Sequence, residues 1–303
     1  MITRRTFFKG LGALFAGGAG LAGYAFGIEP LYRLSVTRYP ITPRNWPEGF
    51  KLKLAIIADI HANEFLMPPQ RIEEIVAVTN GLGADAVLLL GDYEIGRYWY
   101  TKRQQRVEWA PVLAQLKAPL GVHAVLGNHD WWDDRAAQRA RKGPAAARLA
   151  LEKVGIPVYE NDVVRLVKDV MPFWLAGLGD QIAFLTGVKD GRMIFQGVDD
   201  LDGTLAKVTD DAPVILLAHE PDVFPRVSER VALTVCGHTH GGQVRLFGWS
   251  PIVPSAFGNR YAYGHVVETE RDLVVSGGLG CSKLPVRFGV PPEVVIVELG
   301  ASG

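Results

Sequence analysis

Five of the seven histidines in this chain sit in short polar clusters. They are His61 in "ADIH", His129 in "GNHD", His219 in "LAHE", and the pair His238 and His240 in "CGHTHGG". A His–x–His pair in an extended chain presents both rings on one face, so His238 and His240 can approach one ion or two adjacent ions. The flanking glycines let the backbone turn sharply beside the rings. Asp59, Asp92, Asn128 and Asp130 stand beside the other histidines. Carboxylates, imidazoles and an amide oxygen form a mixed N/O donor set suited to Mn, Fe or Zn, and the absence of a Cys ligand argues against a structural zinc. Asp59, His61, Asp92, Asn128, His219, His238 and His240 are too many donors for one tetrahedral ion. They suit two neighbouring ions that share a carboxylate. His123 and His265 lie outside the clusters and read as ordinary core or surface residues.

Each cluster closes a short apolar run, and that sets the elements that must carry it. "KLKLAIIADIH", "ADAVLLLGDY", "GVHAVLGNHD", "PVILLAHEPD" and "ALTVCGHTHGG" are β-rich and too short for most helices. Helical patterns lie between them in "PQRIEEIVAVTNGLG" and "AAARLALEKVG", the second ending at a glycine C-cap. Alternating buried strands and helices predict α/β architecture, in which ligands gather beyond the carboxyl ends of the strands. From "DLVVSGGLG" to "VVIVELG" strands follow with little helix between them, so part of the sheet is expected to be mixed or antiparallel. Between residues 94 and 111, aromatics interleave with Arg97, Lys102, Arg103 and Arg106. This stretch is either a lid or membrane-facing cap, or an amphipathic helix packing Tyr98, Trp99 and Trp109 inward. Trp131 and Trp132 pose the same choice.

The composition narrows the classes of function. With 32 basic and 32 acidic residues the chain lacks the positive excess of a nucleic-acid binder. Cys236 and Cys281 have no CxxC or zinc-ribbon spacing and read as two buried thiols. The first thirty residues join a basic start to a Gly/Ala-rich apolar stretch with no acid before Glu29, the pattern of an export signal or membrane anchor. Arg4 and Arg5, followed by Phe7, Phe8 and Lys9, resemble a twin-arginine signal, which implies the twin-arginine translocation machinery as a partner. The expected organisation is a leader over 1–30, a linker over 31–50 and one catalytic domain over 51–300. The expected location is the periplasm or the outer face of the cytoplasmic membrane.

The motifs D-x-H, G-D, G-N-H-D, a lone His after a strand, and G-H-T-H occur in the order of the calcineurin-like metallophosphoesterases, which the chain resembles over Leu52 to Leu299. "GHTHGGQ" and "GGLGCSKLPVRFGVPPE" make it most similar to small exported or membrane-tethered bacterial phosphoesterases. The resemblance implies a four-layer α/β/β/α sandwich of two mixed sheets flanked by helices. It implies Asp59, His61 and His240 on a first metal ion, Asp92 as the bridge, and Asn128, His219 and His238 on a second. It also implies His129 as the group that contacts the phosphate and protonates the leaving oxygen, with Asp130 as its orienting partner. The expected activity is that of a phosphodiesterase that activates water between two ions about 3.5–4 Å apart. The alternatives are a phosphomonoesterase or lipid-linked pyrophosphatase of the same fold, or a non-catalytic metal- or lipid-binding module at the membrane. The run "GDYEIG" departs from the usual pattern by placing Tyr93 and Glu94 after the bridging aspartate. A lactamase-type hydrolase expects an Asp where Gly242 stands, and an amidohydrolase expects its His–x–His at the first strand, where Asp59–x–His61 stands instead.

Overall fold

The computed structural model describes residues 3–95, 101 and 108–300. Most of the aromatic–basic stretch after Glu94, including Arg97, Tyr98, Trp99, Lys102, Arg103 and Arg106, therefore lies outside the described residues. Two sheets form the centre. The first contains β1 (Ser35–Ile41), β2 (Leu52–Ile57), β3 (Ala86–Leu89), β4 (Val122–Ala124) and β13 (Glu293–Leu299), in the order β1-β13-β2-β3-β4. The second contains β5 (Asp162–Lys168), β6 (Met171–Gly177), β9 (Val214–Leu217), β10 (Val231–Cys236), β11 (Gly264–Glu268) and β12 (Arg271–Val275), in the order β11-β12-β10-β9-β6-β5. A separate two-stranded ribbon is made of β7 (Phe184–Lys189) and β8 (Arg192–Gln196).

Both large sheets are mixed, as the strand-rich last third predicts. β2, β3 and β4 run parallel, whereas β13 is antiparallel to β2 and parallel to β1. In the second sheet the β6-β9-β10-β12 core is parallel, and β5 and β11 close its edges antiparallel. Buried strands alternate their side chains between two cores because successive residues face opposite sides of a sheet. Leu54 and Ile56 join Leu175, Ile215, Leu217 and Val235 in the layer between the sheets. Ala55 and Ile57 face the other way, onto Ile72, Ile75, Leu113 and Leu151.

Helices flank the sheets, preceded by a longer exposed one at the N-terminal end. They are α1 (Arg4–Gly23), α2 (Glu29–Tyr32), α3 (Pro69–Gly81), α4 (Ala110–Leu113), α5 (Asn128–Trp132), α6 (Arg135–Ala140), α7 (Ala146–Lys153) and α8 (Leu201–Leu205). Ile72, Ile75 and Val76 of α3 and Leu151 of α7 bury against the first sheet, and Leu201 of α8 joins Val214, Leu216 and Phe224 on the far side of the second. This is the expected helix–sheet–sheet–helix layering. Gly155, at φ +85°, follows α7 as the expected cap, a left-handed position that glycine occupies without steric cost.

The N-terminal fifty residues differ from expectation. The segment 31–50 is not a linker: Ser35 to Ile41 pair in register with Glu293 to Leu299, and Trp46 and Phe50 are buried with rings stacked 5.0 Å apart. The physical reason is the alternation in "SVTRYPI" and the apolar payload of Trp46 and Phe50, which extend the first sheet past β13. Ahead of it, residues Arg4–Tyr32 make one helical stretch whose most apolar window has a mean hydropathy of 1.5. α1 alone has 20 residues, about 30 Å at 1.5 Å per residue, enough to cross the hydrocarbon layer of a bilayer.

Candidate dinuclear metal centre

Every expected ligand sits just past the carboxyl end of a strand in one of the two large sheets. Asp59 and His61 follow β2, Asp92 follows β3, Asn128 and His129 follow β4, His219 follows β9, and His238 and His240 follow β10. The two halves of the set therefore come from different sheets and meet where both sheets end. The crowding is visible in the backbone. Asp59, His61, Asp92, His238 and His240 hold φ between +47° and +68°, a left-handed region that costs non-glycine residues on the order of 1–3 kcal/mol each unless the surroundings enforce it. Glycines supply the clearance: a side chain at Gly127 would meet the Asp92 carboxylate and sit 2.6 Å from the His219 ring.

Three groups of donor atoms converge. Asp59, His61 and His240 form one, Asp92, His219 and His238 another, and His61, Asp92 and His129 a third, each with atoms within 4.8 Å of one another. Asp92 lies between the sides, with Oδ2 3.5 Å from His61 Nε2 and 3.3 Å from His219 Nε2. Asp59 Oδ1 is 3.4 Å from His240 Nε2 and 3.9 Å from His219 Nε2. Asn128 Oδ1 stands 2.8 Å from His238 Nδ1.

The second partners of these side chains fix which atom faces inward. His219 Nδ1 donates to the Leu90 carbonyl at 2.6 Å, leaving Nε2 buried and turned inward, 3.3 Å from Asp92 Oδ2 and without a well-aligned hydrogen bond among the described residues. His61 Nδ1 faces the Glu94 carbonyl at 3.4 Å, while its Nε2 faces His240 Nε2 at 3.0 Å. Burial holds His61 down to about 3, and burial with His61 beside it holds His240 well below the usual imidazole range. Burial and His219 lower His238 as well. Neutral imidazoles with inward lone pairs, set against two buried carboxylates, are the donor chemistry a divalent cation satisfies. The residues present therefore fit two metal ions. Burial and Asp92 push Asp59 up to about 7, with His219 opposing. His219 is raised well above its ordinary value: burial works to lower it, but Asp92, Glu220 and Asp59 outweigh that.

His129 lies against this set, its ring 5.0 Å from His61 and edge-on to it, and its backbone N–H donating to Asp92 Oδ1 at 2.8 Å. Its pKa is raised: burial opposes, while the carboxylates of Asp92 and Asp133 favour the imidazolium. The structure corrects one expected pairing. Asp130 does not meet the His129 ring through its carboxylate; Oδ2 accepts from Asp92 N–H at 2.9 Å and Gly127 N–H at 2.8 Å, and Oδ1 accepts from Tyr93 N–H at 2.9 Å. The carboxylate 3.2 Å from His129 Nδ1 belongs to Asp133, one helical turn further along α5 and its C-cap. Helix geometry explains the difference, since i and i+4 share a face whereas i and i+1 do not.

Other residues resolve as follows. Tyr93 is buried, donates to the Val125 carbonyl at 2.8 Å and stacks on Trp109 at 4.9 Å, whose Nε1 donates to Glu94 Oε1 at 2.9 Å. The unusual "YE" after Asp92 thus serves packing around the loop. Trp131 is in the core, whereas Trp132 lies 5.3 Å from the His129 ring. Cys236 and Cys281 are buried, their Sγ atoms 3.7 Å from the Glu220 and Val286 carbonyls, His123 bonds Leu120 and Tyr159, and His265 pairs with Asp272 at 2.7 Å. The sequence reading missed Arg287, which is fully buried, donates to the Gly280 and Val290 carbonyls at 2.9 Å, and brings Nη2 within 3.4 Å of His240 Nδ1. Its only signal was an arginine within the apolar tail "LPVRFGVPP".

A metal-binding α/β sandwich with this order of ligands defines a class, and the sequence profile of calcineurin-like phosphoesterases matches residues 52–242. The chain belongs to that family: it is a metal-dependent hydrolase of phosphoester bonds, and the family uses a dinuclear metal centre. Among similar proteins is the uncharacterized metallophosphoesterase YkuE of Bacillus subtilis, 29% identical over 98% of both chains. The phosphodiesterase YaeI of Escherichia coli is 27% identical over 99% of this chain and 100% of its own. A zebrafish (Danio rerio) transmembrane protein with a metallophosphoesterase domain is 26% identical over 84% of this chain and 54% of its own.

Proposed function

We propose that the protein is a phosphodiesterase held at, or exported across, a membrane by its N-terminal helix, with the catalytic domain beginning at β1. The observation that carries the reading is the convergence of Asp59, His61, Asp92, Asn128, His219, His238 and His240 from five strand ends, with His129 beside them. Its likeness to YaeI, named a phosphodiesterase, supports diesters over monoesters. The apolar stretch Arg4–Tyr32 and the transmembrane name of the zebrafish relative support the membrane location. Arg4 and Arg5 favour the twin-arginine machinery as the route.

In this reading Asp59, His61 and His240 hold one ion, Asn128, His219 and His238 the other, and Asp92 both. The ions supply Lewis acidity toward the phosphoryl oxygens and lower the pKa of water at the site. His129, whose Nδ1 faces the Asp133 carboxylate at 3.2 Å, gives its proton to the departing oxygen as the phosphorus–oxygen bond breaks, and water supplies the oxygen that replaces it. A positioned acid of this kind contributes about 10²–10⁴-fold for a basic leaving group. Metal selection fits the same picture: Irving–Williams affinities favour zinc and copper over manganese or ferrous iron, and folding before export lets the cytoplasm decide which ion is loaded.

The test is hydrolysis of bis(p-nitrophenyl) phosphate and p-nitrophenyl phosphate after chelation and re-addition of Mn, Fe or Zn. Metal-dependent cleavage of the diester is expected. Cleavage of the monoester alone would establish a phosphomonoesterase. Two bound ions with neither ester cleaved would favour the binding-module reading.

A further inference from the structure

The β7-β8 ribbon stands apart from both sheets, yet it is tied to the site. Its base is fixed by two bonds of Gln138: Nε2 donates to the Ala183 carbonyl at 2.6 Å, and Oε1 accepts from Leu185 N–H at 3.2 Å. Trp132 donates from Nε1 to the Ile182 carbonyl at 2.8 Å, which holds its ring in place. The Phe195 ring of the ribbon stacks on Trp132 at 5.1 Å and 13°, and Trp132 in turn lies 5.3 Å from His129.

The pairing register shows which side chains share that face. Leu185 pairs with Phe195 and Val188 with Met193, the register shifting by one residue between Leu185 and Gly187. Directly paired residues lie on the same face of a ribbon, as do residues two apart on a strand such as Met193 and Phe195. The one-residue irregularity in β7 therefore brings Val188 onto the face of Leu185. Leu185, Val188, Met193 and Phe195 form one apolar face that begins at the Trp132 stack. Apart from Phe195 it is open to solvent: Leu185 is 46% exposed, Val188 67% and Met193 53%. The charges of the ribbon, Lys189, Asp190 and Arg192, are confined to its tip.

A contiguous apolar surface left open beside a polar reaction centre marks a place for an apolar group. Its position decides which group. The oxygen that receives the proton of His129 belongs to the leaving alcohol, so whatever is attached to that oxygen extends past His129 toward Trp132. We propose that Trp132, Phe195 and the Leu185–Val188–Met193 face of the ribbon form a wall for an apolar leaving group, making the substrate an amphiphilic phosphodiester whose alcohol carries a hydrocarbon chain. This rests on the phosphodiesterase reading and on His129 as its acid. The reaction balances as ordinary hydrolysis: water adds to phosphorus, the bond from phosphorus to the chain-bearing oxygen breaks, and that oxygen leaves as the alcohol with the proton from His129.

The test uses the full chain loaded with metal and two series of fluorogenic diesters, all below their critical micelle concentrations. In one series, 4-alkylumbelliferyl methyl phosphates, the chain grows on the leaving group. In the other, umbelliferyl n-alkyl phosphates, it grows on the alcohol that stays with phosphorus. Full burial of a methylene is worth about fourfold, so a wall open on one side should raise kcat/KM about twofold per methylene in the first series and leave the second nearly flat. Val188→Ser with Met193→Ser should flatten the slope of the first series. Both residues are more than half exposed, so the change costs little folding stability, and a thermal unfolding scan checks that it does not. The slope in the unaltered protein is a separate measurement that does not depend on the variant folding.

A flat first series with good cleavage overturns the wall while leaving the phosphodiesterase reading intact. So does a slope that follows the retained alcohol, one that survives in the double variant, or one that appears only above the micelle threshold, which would indicate a bilayer contact instead. Loss of self-association in the double variant with an unaltered slope would assign the face to a second copy and overturn the wall as well. If no diester in either series is cleaved with metal bound, the phosphodiesterase reading fails and the wall falls with it.

Discussion

Replacing Asp133 with Asn tests the role of His129 through a residue outside the expected ligand set. The Asp133 carboxylate lies 3.2 Å from His129 Nδ1 and its side chain is 31% exposed. A unit charge at that distance is worth about 1 kcal/mol under water-like screening and roughly 5 kcal/mol at an effective dielectric near 20. Partial exposure favours the screened end, so the variant should lower the pKa of His129 by about one unit. The sign follows from the charge: Asp133 stabilises the imidazolium, so its loss makes the ring give up its proton at lower pH. An acid catalyst works only while protonated. The alkaline limb of kcat against pH should therefore move down by about one unit, and above both limbs the rate should fall about tenfold. The fall should be large for a diester with an alkyl leaving group and small for bis(p-nitrophenyl) phosphate, whose phenolate departs with little help. Equal losses for both esters, or an unmoved alkaline limb, would refute the assignment of His129 as the acid and of Asp133 as the group that tunes it.

Asp130→Ala should act on folding rather than on proton transfer. It strands the buried amides of Asp92, Tyr93 and Gly127, each at roughly 1–3 kcal/mol with incomplete additivity, so urea unfolding of the metal-loaded protein should show a loss of about 3–5 kcal/mol. A variant with wild-type stability and a purely kinetic defect would count against that role. Gly127→Ala should disturb the metal centre, because its methyl group would sit 2.6 Å from the His219 ring. Elemental analysis should show less than two ions per chain, and diester hydrolysis should fall by about 10²-fold, as misplacement of a catalytic group by an ångström does.

The sequence carried the strands that end in ligands because each joins two strong signals, a buried β-branched or leucine run and a polar residue where the run stops. "AVLLLGD" is legible for that reason, and so are α3 and α7, with their helical spacing. Where a segment lacked such contrast the reading was wrong or silent. Residues 35–41 read as linker because their pattern of half-buried alternation is weak and the strand that completes it lies more than 250 residues away. The resemblance pairs Asp130 with His129, although neighbours on a helix point apart and the fourth residue on, Asp133, shares the face. The β7-β8 ribbon has no ligand at its end to draw notice, and its meaning depends on Trp132, which only the fold brings beneath Phe195. Arg287 was invisible for a similar reason: its partners are backbone carbonyls, which no sequence pattern announces.

The placement of β13 has a consequence for biogenesis. It inserts between β1 and β2, parallel to one and antiparallel to the other. Until β13 has left the ribosome, the two earlier strands have no partner to join them, and the platform that carries Asp59 and His61 has a slot through its middle. The nascent chain thus exposes its apolar N-terminal helix long before its catalytic sheet can close. Closing it requires a loop spanning nearly the whole polypeptide, a topology that makes folding slow and leaves open strand edges in the interim. A membrane or a chaperone that took charge of the helix during synthesis would thereby also shelter a half-built sheet.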